Sequence, residues 1–161
     1  MSKLPLVLRE LHRSEIDMAR DLLALADRHR VDHEIFHVAR DIATWSQTHV
    51  RRLADAGAAH GVRLNPQPRW EPLRAPVLAR RASSLLGRRR EPGLLLLADL
   101  RRIHQKAAGL SLDWELLGQA AQAMKQGSLL ELVQACHPQV LRQMRWANAQ
   151  LKVTSPQVIA Q

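Results

Sequence analysis

The chain has 161 residues, 46% apolar and 24% charged, which suits a single globular domain over 1–161 and excludes wholesale disorder. Its 24 Lys and Arg against 15 Asp and Glu leave a net charge of +9, so anionic partners are the expected ones. One Cys and no Tyr exclude an internal disulfide, a thiolate zinc site or an iron–sulfur cluster from this chain alone, and any tyrosine-based mechanism.

No stretch shows the two-residue alternation of a strand, and the pattern predicts helices throughout. The first runs from about Pro5, a residue tolerated in the first turn, to His29. Because Arg9 and Glu10 interrupt the start before an apolar stretch can form, no secretory leader is expected, and the expected location is the cytoplasm. The second helix follows an N-cap at Asp32 and ends near His60, with Gly61 as its stop. From Val62 to Pro92 lies a basic crossover with eight Arg, Glu71 and Glu91, a net of +6, and five of the eight prolines. This composition reads as a connection, with room for a short helix over Val77–Leu86 before Gly87. The third helix covers Pro92 to Lys125, and Gly127 lies just past its end. Its start holds the longest apolar run, Leu94 to Ala98, far short of the ~20 residues of a membrane span. The fourth opens with a Ser128-Leu-Leu-Glu131 capping box and ends before Thr154-Ser-Pro156, with Pro138 inside it as a kink or break.

The 3-4 spacing of apolar residues defines four stripes. They run Leu8 to His29, Ile35 to Ala56, Leu96 to Met124 and Val133 to Leu151. Four stripes of similar length predict an all-α four-helix bundle of two antiparallel hairpins. Trp45, Trp114 and Trp146 are read as packing residues. Three stripes carry a central polar residue, namely Glu15, His49 and His137, while Asp113 and Glu115 flank Trp114 in the third. Such groups are costly to bury alone and should meet one another or a ligand.

Their levels constrain the topology. Glu15 and His49 lie about 16 and 18 residues from the first turn, or roughly 24 to 27 Å along the helices. Glu115 and His137 each lie about 11 residues from the second turn, or roughly 16 Å. The two pairs coincide only if the turns occupy opposite ends of a bundle roughly 40 Å long. The crossover is long enough to travel that length at ~3.3 Å per residue.

In this layout the chain resembles the ferritin-like superfamily, in which two helical hairpins are joined by one long crossover around a central dimetal site. The resemblance implies that Glu15 and Glu115 (or Asp113) are the first- and third-helix carboxylates. It likewise implies that His49 and His137 are the two histidines. The glutamates of the family's two Glu-x-x-His motifs are replaced, giving Ser46-Gln-Thr-His49 and Gln134-Ala-Cys-His137. The remaining donors carry too little charge for two divalent ions. They suit either one ion (iron, manganese or zinc) or a metal-free hydrogen-bonded network that fixes helix register. Glu34-Ile-Phe-His37 keeps the motif but sits one turn into its helix, away from the layer. His29, His33 and His37 straddle the predicted turn and are read as a solvated cluster. Cys136 has no base and orienter in view for thiol catalysis.

Two functions from different classes follow. The first is a ferritin-like bundle with one metal at Glu15, His49, Glu115 and His137, where any catalysis is oxidative; no catalytic residue is assigned. The second is a metal-free helical interaction module that forms homo-oligomers. It binds an anionic partner through Arg80, Arg81, Arg88, Arg89 and Arg90; the alternative for that segment is a solvated crossover partly neutralised by acids such as Asp17, Asp21 or Asp99 on neighbouring helices. No nucleic-acid reading motif accompanies that charge.

Overall fold

A computed structural model of the protein describes residues 2–71 and 91–160. The described residues form four helices and no strand: α1 (Leu4–Arg28), α2 (His33–Ala59), α3 (Pro92–Ala123) and α4 (Gly127–Ile159). Most boundaries follow local chemistry. Pro5 lies in the first turn of α1 and Pro92 opens α3, where an N–H has no helical partner to lose. The Asp32 carboxylate accepts the Ile35 N–H at 3.1 Å and caps α2. Gly61, at φ +72°, takes the left-handed conformation that ends it.

The fourth helix departs from expectation at both ends. The left-handed position between α3 and α4 is Lys125, at φ 55°, and Gly127 is already the first residue of α4. With the helix starting behind Gln126, Ser128 is inside the first turn and the capping box does not form. At the other end α4 continues through Pro156 to Ile159, and it also passes through Pro138 without a break. Both proline rings are exposed, so the carbonyl that each frees can turn to water instead of being stranded in the core. α3 likewise runs unbroken through Gly109 and Ser111.

The core is a continuous apolar column, including Leu8, Met18, Leu22, Ile103, Leu117 and Val140, each under 2% exposed. Burial of each such side chain contributes about 1.5–3 kcal/mol. The α1 stripe is buried throughout, and so is the α3 stripe up to Ala121, whereas Met124 is exposed. The other two stripes are rotated from the expected ones. In α2 the core side is Ile35, Ala39, Ile42, Ser46, His49 and Leu53, with Arg52 in solvent. In α4 it is Leu129, Val133, Cys136, Val140, Gln143 and Ala147, which moves His137 and Met144 to its edge.

Side-chain pairs fix the directions of the helices. Asp21 meets Lys106 and Arg28 meets Asp99, so α1 and α3 are antiparallel neighbours. Glu34 meets Gln150 and His49 meets Gln139, so α2 and α4 are also antiparallel neighbours. The two hairpins therefore pack side by side, and α2 and α3 face each other across the diagonal and run parallel. The α1–α2 turn and the α3–α4 turn lie at opposite ends. The chain between α2 and α3 must travel the length of the bundle.

The first residues of that crossover are tied down. Val62 N–H bonds to Gly57 O at 2.8 Å, and a Cβ on Gly57 would stand 2.9 Å from both Val62 O and Leu64 Cδ1. His12 Nε2 then donates to Asn65 O at 2.7 Å, and Arg20 donates to Arg69 O through Nε and Nη2 at 3.0 and 2.8 Å. The strap thus climbs along α1. Arg80, Arg81, Arg88, Arg89, Arg90 and the Val77–Leu86 helix lie outside the described residues. Two of the acids expected to neutralise them are engaged within the bundle instead: Asp21 by Lys106, and Asp99 by Arg28 and His29.

Candidate functional site

Glu15 and His49 meet at mid-bundle, 0 and 1% exposed, because each holds a core position of a stripe. His49 Nδ1–H donates to Glu15 Oε1 at 2.8 Å, and the indole N–H of Trp114 donates to the same oxygen at 2.7 Å. The Trp114 ring also stands edge-on to the imidazole at 5.8 Å. On its other side His49 Nε2–H donates to Gln139 Oε1 at 2.7 Å. One turn away, Gln143 Nε2 donates to Ile42 O and Ser46 Oγ at 2.9 and 3.0 Å, both partners lying on α2. The layer therefore joins all four helices.

Burial by itself lowers the pKa of His49. The Glu15 carboxylate and the adjacent Cys136, through charge and hydrogen bonding, outweigh burial and push it up to about 10. His49 is an imidazolium at neutral pH, and both of its N–H groups are donated. Within the layer, Glu15 Oε2 and Gln143 Oε1 receive no donor among the described residues.

The other two expected ligands are elsewhere. Glu115 is solvent-exposed, because Trp114 takes the inward position and one step along a helix turns a side chain by about 100°. Asp113 is partly buried at the other flank of Trp114. Its carboxyl is pushed up by burial first and by the nearby Glu10 charge second. His137 is half-buried and shares a hydrogen bond with Ser111 Oγ at 2.8 Å, since Cys136 occupies the inward position of that turn. The structure brings together Glu15 and His49. It does not bring Glu115 or His137 to them. No family model, curated protein or solved structure matches the chain.

Four members of the layer escape the sequence reading: Ser46, Gln139, Gln143 and the indole N–H of Trp114. Ser46 and Gln143 sit at core spacing in their helices, three before His49 and three after Val140. An uncharged polar residue at such a position is the signal that would have found them. A second polar cluster lies at the α1–α2 end, where His29 is buried and not solvated. There His29 Nε2 meets Asp99 Oδ2 at 2.9 Å, and Arg28 grips both Asp99 oxygens at 3.0 Å. His33 and His37 remain exposed at the start of α2.

A cation fits the layer poorly. His49 would have to surrender a proton held up to about pH 10 and break a bond at one nitrogen, and only one carboxylate is at hand. Among the described residues, no three His, Cys, Asp or Glu side chains gather as a metal would require. Two concavities in the described surface, one of about 10 Å³ beside Asp99 and one of about 420 Å³ between Leu97 and Leu151, are lined by no residue of the layer. No helix among the described residues is long and apolar enough to cross a membrane.

Proposed function

We propose that the protein is a helical interaction module, in which the Glu15–His49 layer fixes how four helices fit together instead of performing chemistry. In this reading the bundle associates with itself and offers the arginines of its crossover to an anionic partner. The observation that carries it is the closure of the layer: both nitrogens of His49 are committed, one to Glu15 and one to Gln139. A substrate or cofactor would have to break those bonds in a site with 0 to 1% exposure. The topology, with parallel α2 and α3, supports an architectural kinship with ferritin-like bundles, but the donor set does not support their metal chemistry.

One observation favours the single-metal reading, namely the partnerless Glu15 Oε2. Thermal denaturation with iron, manganese or zinc separates the two, since a ligand that binds only the folded state raises the melting temperature. The interaction-module reading expects no rise for the parent and a molecular mass in solution that grows with protein concentration. A rise that disappears in Glu15→Gln would overturn it in favour of the metal.

A further inference from the structure

Among the described residues the solvent face of α3 has no partner, yet it carries three exposed leucines. Leu94, Leu112 and Leu116 are 50, 61 and 64% exposed, and they share one face with Ala98, Gln105 and Ala123 at intervals of four and seven residues, which return to the same side of a helix. Gly109 lies at the middle of this face. A Cβ there would meet nothing within 4 Å, so the described residues give no packing reason for a residue that costs about 1 kcal/mol in a helix interior. Beside Ala108, it leaves a shallow centre where a second backbone can come close.

The charges flanking the seam decide what fits it. Arg101 and Arg102 bracket its first half, and Asp113 and Glu115 bracket its second half. A copy of α3 laid antiparallel about a two-fold axis near Ala108 brings Arg101 to the partner's Glu115 on one flank. The same rotation brings Arg102 to the partner's Asp113 on the other flank. Along the seam it sets Leu116 against the partner's Ala98 and Leu94 against the partner's Ala123, large against small. A parallel copy would oppose Arg to Arg and acid to acid. The geometry points to an antiparallel homodimer through the outer face of α3, centred on Ala108 and Gly109. This proposal rests on the self-association named above and specifies its surface and symmetry.

The test uses two surface variants of the whole chain, neither of which alters a core residue. Arg101→Glu with Arg102→Glu makes the face wholly acidic, and Asp113→Arg with Glu115→Arg makes it wholly basic. Masses are read by sedimentation equilibrium at low salt, with circular dichroism to establish that each variant is folded. The expected result is a dimeric parent, with each variant alone dissociating at least about tenfold more readily, because like charges now oppose one another. An equimolar mixture of the acidic and basic variants should recover the dimer. A parent dimer of unchanged affinity in both variants would overturn the α3 face and leave self-association standing. A parent that stays monomeric up to millimolar concentration would overturn both.

Discussion

Glu15→Gln keeps the shape of the side chain in the polar layer and deletes its charge. In the parent, His49 titrates near 10 when folded and near 6.5 when unfolded, so the folded state holds a proton that the unfolded state has lost between those values. The stabilisation from this pair is therefore complete below pH 6.5 and is lost as the pH rises through about 10. The slope is about 1.4 kcal/mol per pH unit. Between pH 7 and about 10 the decline amounts to roughly 4 kcal/mol, in line with the ~3–5 kcal/mol typical of breaking a buried pair. In the variant the Glu15 charge is gone and burial, which lowers the pKa, is opposed by Cys136 alone, so His49 loses its proton at a lower pH than in the parent. Urea denaturation followed by far-ultraviolet circular dichroism, repeated at intervals from pH 6 to pH 10, reads both curves. The variant should be less stable by about 3–5 kcal/mol at pH 7. Its curve should level off at a lower pH than the parent's, and the two should converge near pH 10. Two curves that decline in parallel would show that His49 is not the group that titrates, and the assignment of an imidazolium in the core would fail.

Asp99→Asn weakens the acceptor of both Arg28 and His29 and should cost about 1–3 kcal/mol, most of it through the buried His29 because Arg28 is half exposed. Hydrogen exchange should quicken first at the end of α1 and the start of α3; unchanged exchange there would contradict the role given to the cluster. Gln143→Leu gives up two hydrogen bonds but also removes an unpartnered buried acceptor, so its unfolding free energy in urea should stay within ~1 kcal/mol of the parent. Gly57→Ala drives a methyl group into Val62 O and Leu64 and should lower stability by about 1–3 kcal/mol. Trypsin should then cut faster at Arg63 and Arg69 than in the parent; an unchanged digestion pattern would show that the strap tolerates the methyl.

The axial coordinate of the polar layer was legible in the sequence, and its azimuth was not. Counting residues from the turns placed Glu15 and His49 at one level, and the same count demanded the crossing topology that the ion pairs of α1 with α3 display. The rotation of a helix is harder to read, because apolar stripes are broader than one residue. In α3, Trp114 and Glu115 are adjacent, and only packing decides that the indole turns inward and brings its N–H to Glu15. In α4 the stripe drawn through His137 and Met144 is one residue away from the stripe that packs, Cys136 and Gln143. Histidine is the more conspicuous ligand type, yet Cys136 and Gln143 hold the inward positions. The end of α4 lies beyond Pro156 for a different reason: a proline on the solvent face removes a hydrogen bond that water can replace, so the helix need not stop.

The division of the polar layer between hairpins bears on how the chain assembles. The most extensive contacts are within each hairpin, between residues close in sequence, and such contacts form early at little cost in loop closure. The first hairpin brings Glu15 and His49 together, and it also carries the strap that Asn65 and Arg69 pin to α1. Trp114, Gln139 and Gln143 all belong to the second hairpin. Each hairpin thus reaches the docking step with half of a donor–acceptor set exposed on an otherwise greasy surface. A sliding or flipped arrangement would bury the same oil but forfeit the Trp114 bond to Glu15 and the Gln139 bond to His49, so the layer favours one docking of the hairpins over its alternatives.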